Sequence, residues 1–323
     1  MHYRKKSIKY LFNLARGVFI SIAVLCCCGA AASFFARFHL VFELSCHFYI
    51  QYFAFTSITA LIFARGREWK EAAAMGAFAI YCGAALAPFM PYKSPVTAAA
   101  AGSKSFRAVC ANVHTANRAH FKVIDMVREY NPDFIILIEV NKLWLESLSA
   151  LEAGYPHTVF EPSEDNFGMA FYCRIKPVTA EISFAGSLPV PFLKAKFSSC
   201  AKTFMLYGAH PLPPLSPDYF KYRNDQLDAM ASIAAREGGP AVFMGDLNAT
   251  PWSPYFKDFA AAAGLKNSAE GFGLFPSWPA HMPSLRIPID HCLNSGGVSV
   301  TKVFTGRFIG SDHFPIIVDF MVD

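Results

Sequence analysis

Residues 17–36, between Arg16 and Arg37, form a run of twenty uncharged amino acids. As a helix, a run of that length crosses the roughly 30 Å hydrocarbon core of a bilayer. Similar runs follow at 44–64 and 72–92, the last closed by Pro88 and Pro91. The competing reading is a buried helical bundle in a soluble protein. It has to place three such stretches, separated by short charged turns, in one ordinary core. The sequence therefore predicts a membrane anchor over 1–94 with spans at about 17–36, 44–64 and 72–92. The 54% hydrophobic content of the chain is concentrated there, leaving two unlike halves.

Lys and Arg orient the anchor. Arg4, Lys5, Lys6, Lys9 and Arg16 precede the first run, and Arg65, Arg67 and Lys70 lie between the second and third. The first turn offers only Arg37. The amino terminus and second turn are expected in the cytoplasm, with everything after Tyr92 outside. The first run also has the form of a signal peptide, a basic start and apolar core ending in Gly29-Ala30-Ala31-Ala32-Ser33. Its removal would leave two spans and the same outside location. Residues 95–105, rich in Ala, are expected to be a linker to a domain over 106–323.

Charge divides at the same boundary. Before residue 106 there are eleven Lys/Arg and three Asp/Glu, a balance of +8; from 106 onward there are eighteen and twenty-one, a balance of −3. The net +5 thus follows membrane topology and is no nucleic-acid footprint. Of nine cysteines, Cys26, Cys27, Cys28, Cys46 and Cys82 fall in the spans. Cys110, Cys173, Cys200 and Cys292 are scattered without Cys-x-x-Cys spacing, so zinc is not indicated and no disulfide can be paired.

The second half alternates apolar runs with turn signals. Residues 106–112, 134–138 and 241–246 read as buried strands ending in or just before Asn112, Glu139 and Asp246. The segments 168–173, 178–184, 192–197 and 204–209 read as short strands in meander order, the last leading to His210-Pro211. Helices are expected over 118–130, with Phe121, Ile124 and Val127 on the apolar face, and over 142–151, 216–236 and 254–263. Residues 286–291 read as a strand carrying Asp290, and 316–320 as a strand preceded by Asp312 and His313. Asp246 and Asn248 stand at i and i+2, so an extended backbone would point both the same way. The plainer reading there is an Asx-turn.

Strand ends thus carry, in order, Asn112, Glu139, His210, Asp246 with Asn248, Asp290, and Asp312 with His313. There is no Ser- or Cys-centred nucleophile motif and no Gly-rich phosphate loop. Acidic and amide oxygens beside two histidines suit a hard divalent cation, magnesium or manganese. Such a site fits water attacking phosphorus, with His and Asp handling protons.

Asn112, the stretch Pro132-Asp133-Phe134-Ile135-Ile136-Leu137-Ile138-Glu139, His210-Pro211, Gly245-Asp246-Leu247-Asn248, Ile289-Asp290-His291 and Gly310-Ser311-Asp312-His313-Phe314-Pro315 resemble the endonuclease/exonuclease/phosphatase superfamily. The resemblance covers about 105–323 with the motifs in family order. It implies the deoxyribonuclease I-like fold, a two-sheet α/β sandwich with its site at the sheet edge. It further implies Glu139 as metal ligand with Asn112 and Asp312. Asp246 would align or deprotonate the water, and Asn248 would hold a phosphate oxygen. His210 and His313 would contact the phosphate, with Asp290 orienting His313. The basic loops of the family's abasic-DNA nucleases are missing. The membrane start resembles a bacterial, membrane-anchored subset, implying a multi-pass inner-membrane protein with its catalytic domain outside. The expected substrate is a phosphate ester: a nucleic acid, a phospholipid head group or a small diester. The bilayer is the other partner, and no obligate protein partner is inferred. The alternative from another class is a non-catalytic binding or scaffold protein on the same fold, which lost acidic positions would mark.

Overall fold

The computed structural model describes residues 2–93, 105–199 and 202–322. The expected linker, but for Ser105, and Cys200 lie outside the described residues. The chain forms two compact units, Met1–Pro88 and Phe89–Asp323.

The first unit is helical. Helix α1 is His2–Ala32, α2 is Leu40–Ser45, α3 is Tyr49–Arg65 and α4 is Trp69–Leu86. Three segments are long and apolar enough to cross a membrane: Arg16–Phe35, Leu40–Arg65 and Trp69–Phe89. The second begins earlier than the charge-free run, because Glu43 lies within α2 and pairs with His47 at 3.5 Å one turn on. The third stops short of Tyr92 at a 3₁₀ turn, Ala87–Phe89, that contains Pro88. Gly29 faces Tyr52 and Gly83 faces Phe53 where a Cβ would intrude, the small-residue contact that lets apolar helices approach closely. The Ser33 hydroxyl meets the Tyr49 hydroxyl at 2.8 Å, and Tyr49 meets Tyr81 at 2.7 Å. Leu25, Leu61 and Ile80 are among the exposed side chains, a surface suited to hydrocarbon.

The second unit opens with β1 (Ser105–Asn112), α5 (His120–Tyr130), β2 (Phe134–Ile138), α6 (Lys142–Leu148), β3 (His157–Glu161) and β4 (Met169–Cys173). It continues with β5 (Thr179–Ala185), β6 (Val190–Ser199), β7 (Lys202–Ala209), α7 (Pro217–Glu237), β8 (Ala241–Asp246) and α8 (Pro254–Ala262). It closes with β9 (Lys266–Asn267), β10 (Asp290–Asn294), β11 (Val298–Thr305) and β12 (Ile316–Val322). One six-stranded sheet has the order β11-β12-β1-β2-β4-β3, the other β5-β6-β7-β8-β10-β9. At the centre of each, β1 with β2 and β7 with β8 run parallel; their neighbours are antiparallel.

The two-sheet α/β sandwich expected from sequence is therefore present, with helices outside both sheets. Phe106, Ala108, Cys110, Phe134, Ile136 and Ile138 pack against Leu193, Phe197, Phe204, Leu206, Val242 and Met244 between the sheets. Residues of opposite parity, Val109, Ala111, Ile135 and Leu137, face Val123, Met126 and Val127 of α5 and Trp144 of α6. Phe243 and Tyr207 face Leu227 and Met230 of α7 and Phe259 of α8. Ser216 caps α7 by accepting from the Tyr219 amide, and Ser253 caps α8.

Three expectations need correction. The four short strands are not one meander: β4 pairs with β2 and β3 in the first sheet, and only β5, β6 and β7 form a meander in the second. Phe121 is exposed, because α5 buries Val123, Met126 and Val127 instead. Asp290 begins its strand, since β10 runs antiparallel to β8 and its amino end lies beside the carboxyl end of β8.

Candidate active site

The inner-facing rows of the strands end in polar side chains. In β1, Phe106, Ala108 and Cys110 lead by the two-residue period to Asn112; in β8, Val242 and Met244 lead to Asp246. His210 follows β7 in the same register, and Asp290 stands directly across from Asp246 in the β8–β10 ladder. Asn112, His210, Asp246, Asp290 and His313 are all buried, where an unpaired polar group is costly. They cluster together, although His210 Nδ1 and Asp290 Oδ1 have no hydrogen-bond partner among the described residues.

Asp246 Oδ2 is the centre. Asn112 Nδ2 lies 3.3 Å from it, His313 Nε2 3.6 Å and His210 Nε2 3.7 Å. Its other oxygen, Oδ1, accepts the Asn248 amide at 2.9 Å. That bond is an Asx-turn, and Asn248 has a left-handed φ of 48°. The strand has already ended at Asp246, so the two side chains do not share one extended face as the i, i+2 spacing suggested. Asn248 Nδ2 donates instead to the Pro211 carbonyl at 3.0 Å, tying this turn to the His210-Pro211 turn. The Asn248 carbonyl accepts from Arg223 Nη1 of α7 at 2.9 Å.

Asp290 and His313 form a close pair, Oδ2 to Nδ1 at 2.8 Å. The His313 amide donates to Ser311 Oγ at 3.0 Å, fixing the turn. Burial opposes a charged imidazole at His313, but Asp290 and then Asp246 outweigh it and push the group up to about 10. Burial likewise opposes the Asp290 carboxylate, yet the His313 charge and hydrogen bond hold it below the ordinary carboxylate range. At Asp246, burial and then the Asp290 charge raise the carboxyl to about 6, against the pull of His313 and His210.

Glu139 follows β2 directly and has a φ of 63°, a left-handed conformation that bulky residues reach at a cost. Its Oε1 accepts from Asn112 Nδ2 at 2.8 Å and lies 3.9 Å from His210 Nε2. Its carbonyl accepts from Thr115 Oγ1 at 3.0 Å. Asp312 is more open, with a third of its side chain exposed. Trp278 Nε1 donates to its Oδ2 at 3.1 Å, and His114 Nδ1 lies 3.7 Å from Oδ1.

A divalent cation needs oxygen ligands. Glu139, at the end of β2 with 14% of its side chain exposed, supplies a carboxylate and so fits one; Asn112 beside it is buried, and its Oδ1, which accepts from the His114 amide at 3.0 Å, keeps one lone pair for a cation. Among the described residues, the ligating atoms that approach within 4.8 Å as a trio are those of Asp246, Asp290 and His313. There the Asp290–His313 ion pair accounts for the closeness. Asp312 stands outside that trio.

The sequence singled out eight residues and the fold brings them to one end of the sandwich. Sequence reading missed Arg223, Thr115, His114, Trp278 and Ser277, whose hydroxyl accepts from the Asp290 amide at 3.3 Å. Arg223 lies inside the expected helix 216–236 and is wholly buried. The others sit in turns with no periodic signal.

This fold and site define the class. The sequence matches the Endonuclease/Exonuclease/phosphatase family over residues 110–313, and the chain belongs to that family. Its members are generally phosphoric ester hydrolases. A crystal structure of an endonuclease/exonuclease/phosphatase from Beutenbergia cavernae superposes with a TM-score of 0.55 at 19% identity, covering 68% of this chain and 72% of that one. D. rerio TDP2 complexed with a single strand DNA product gives 0.56 at 16% identity, covering 67% and 99%. The human Nocturnin catalytic domain with bound sulfate gives 0.54 at 17%, covering 68% and 94%. At these identities the likeness speaks for the fold. No curated protein matches the sequence significantly.

Proposed function

We propose that this chain is a membrane-anchored, divalent-metal-dependent phosphoesterase, acting by water attack on phosphorus at the outer face of a bacterial plasma membrane. The observation that carries the reading is the buried Asp246 carboxylate surrounded by Asn112, His210 and a His313 that Asp290 keeps charged.

Each group has a part suited to its surroundings. Asp246, held near 6, is an effective general base close to neutral pH: ionised, yet basic enough to take a proton from water. The His313 cation presents Nε2–H to a phosphoryl oxygen, and His210 Nε2 presents a second donor. Asn248 keeps an amide hydrogen for a third contact, since only one goes to Pro211. As the water oxygen bonds to phosphorus, the bond from phosphorus to the leaving oxygen breaks. Asp246 holds the water proton and releases it to solvent, and the leaving oxygen takes a proton from solvent. Magnesium or manganese would be held by Glu139 with Asn112, and by Asp312 if its carboxylate leaves Trp278; when bound it offsets phosphate charge.

The test is hydrolysis of bis(4-nitrophenyl) phosphate by the full chain in detergent, with and without magnesium or manganese. Wild type should turn over with metal and lose activity with chelator. Glu139→Gln should require much more metal at an unchanged fold. Metal-independent turnover, or full activity of Glu139→Gln at limiting metal, contradicts the reading.

A further inference from the structure

The loop over 277–287 lies beside His313; Ser277 and Trp278 contact Asp290 and Asp312, and its residues 279–287 have no part in the chemistry above. It is built firmly. The Ile287 amide donates to the Trp278 carbonyl at 2.6 Å, and the Trp278 amide to the Ile287 carbonyl at 3.2 Å. Inside this closure the Leu285 amide donates to the Met282 carbonyl at 3.0 Å, and the Arg286 guanidinium bonds the Pro279 and Ala280 carbonyls. Three bonds fasten the loop to the catalytic turn: the Ala280 amide to the Asp312 carbonyl at 2.7 Å, the Phe314 amide to the Ser277 carbonyl at 3.1 Å, and Trp278 Nε1 to Asp312 Oδ2 at 3.1 Å.

Yet this fixed loop turns apolar side chains to solvent. Trp278 is 37% exposed, Met282 44% and Leu285 45%. The edge continues through Phe308, 45% exposed and tilted against Phe314 with ring centres 5.9 Å apart. The Lys122 ammonium lies 5.1 Å from the Phe308 ring centre and the Arg286 guanidinium 4.6 Å from that of Phe314. Phe121, next to Lys122, is exposed too.

Large apolar groups held rigidly in water gain nothing in the free protein, and clustered at the rim of a site they mark a contact. Aromatic rings interleaved with Lys and Arg are what the head-group level of a bilayer accepts. Single-stranded nucleic acid also stacks on aromatics, but Met282 and Leu285 offer no ring face, and the balance of −3 over 106–323 opposes a polyanion. The bilayer is moreover close along the chain. Met90 and Pro91 alone separate Phe89, the end of the third membrane-length segment, from Tyr92. The amides of Tyr92 and Lys93 already donate to the Gly271 carbonyl at 3.1 and 3.0 Å. A chain that carries membrane-length segments meets phospholipid as a ready phosphate ester.

We propose that Trp278, Met282, Leu285 and Phe308 form a lipid-contacting rim, and that the substrate is a phospholipid whose phosphate ester is taken from the bilayer surface; this rests on the phosphoesterase reading. The acyl chains remain in the membrane while the head-group phosphate reaches His313 and His210.

The test compares full-chain wild type with Met282→Ser/Leu285→Ser in nanodiscs of phosphatidylethanolamine and phosphatidylglycerol. Both proteins receive head-group-labelled phospholipid, bis(4-nitrophenyl) phosphate in solution and a single-stranded oligonucleotide. The double variant should lose at least tenfold in phospholipid turnover and stay within twofold on the soluble diester. Undiminished phospholipid turnover overturns the proposal. So does a wild type that cleaves the soluble diester and the oligonucleotide but no phospholipid. Failure on all three substrates with metal present counts against the phosphoesterase reading itself, and the rim is then judged by fluorescence. The Trp278 signal, taken as the difference between wild type and Trp278→Phe, should be quenched by brominated acyl chains. An unquenched Trp278 removes the lipid contact whatever the enzyme's activity.

Discussion

Asp246 Oδ2 has Asn112, His313 and His210 nitrogens around it, so substitutions there should not act independently. Asp246→Asn and His313→Ala should each lower kcat/KM on a simple diester by about 10²–10⁴, the range for single general-base or oxyanion-stabilising groups. The double variant should lose far less than the product of the two, because groups serving one transition state fail together. Strictly multiplicative losses would separate the two residues into different roles. His291 makes a second prediction, on stability. Burial holds its imidazole down to about 4, against the opposing influence of the Ala249 carbonyl and Asp290. It stays neutral in the fold, donating Nε2–H to Ala249 at 2.8 Å and lying against Phe256. The unfolded chain protonates it from about 6.5 downward, so the unfolded state binds more protons between 6.5 and 4 and stability falls as pH falls through that window. The gap is worth roughly 3 kcal/mol once pH is below 4. His291→Gln keeps a donor but cannot titrate. Its unfolding midpoint, followed by near-ultraviolet circular dichroism at pH 7 and pH 4.5, should move less than that of wild type; an equal shift would clear His291.

The central strands meet at a close approach that only glycine allows. Gly245 stands opposite Ala209 in the parallel β7–β8 ladder, and a Cβ there would strike the Ala209 backbone carbonyl, which cannot yield. Gly245→Ala should destabilise by about 3 kcal/mol. Gly296→Ala, whose Cβ would meet nothing within 4 Å, should stay within about 0.5 kcal/mol. Equal melting temperatures for the two variants would refute the close approach. What could be read from sequence follows from the same local physics. β2 matches the expected 134–138 because five apolar residues lie between Pro132-Asp133 and Glu139, and α7 matches because Ser216, Pro217 and Gly238 punctuate it. β3 and β11 were missed: their residues are mostly half-buried at sheet edges, so neither alternation nor an apolar run marks them. Sheet membership was not legible either, since β4 pairs with β2 across a long insertion. Site residues at strand ends were visible because a carboxylate after an apolar run stands out. The turn at Asn248 was among the readings offered, as an Asx-turn, whereas the left-handed turn at Glu139 was not, because nothing in Ile138-Glu139-Val140 marks a reversal.

Charge and contacts within the first unit bear on how the whole molecule is threaded. Arg16 pairs with Glu68, which joins the start of the first membrane-length segment to the turn before the third. At the other end Ser33, Tyr49 and Tyr81 are linked by hydroxyl contacts. The three segments therefore run up, down and up, so residue 89 leaves the unit at the end opposite Arg16. The Lys/Arg clusters at 4–16 and 65–70 mark one end, against Arg37 at the other, and on the proposed topology the positive end stays in the cytoplasm. The catalytic unit should then lie outside. Alkaline phosphatase, active only outside the cytoplasm, should be active when fused after Phe320 and silent when fused after Arg67. Replacing Arg65, Arg67 and Lys70 with Gln while adding three Lys near Arg37 should lower the first signal, because four positive charges at the first turn would then stand against the five at 4–16, in place of one against eight. A silent Phe320 fusion in well-expressed protein would put the site in the cytoplasm. That outcome would reverse the proposed location while leaving Asp246, His313 and their chemistry where they are.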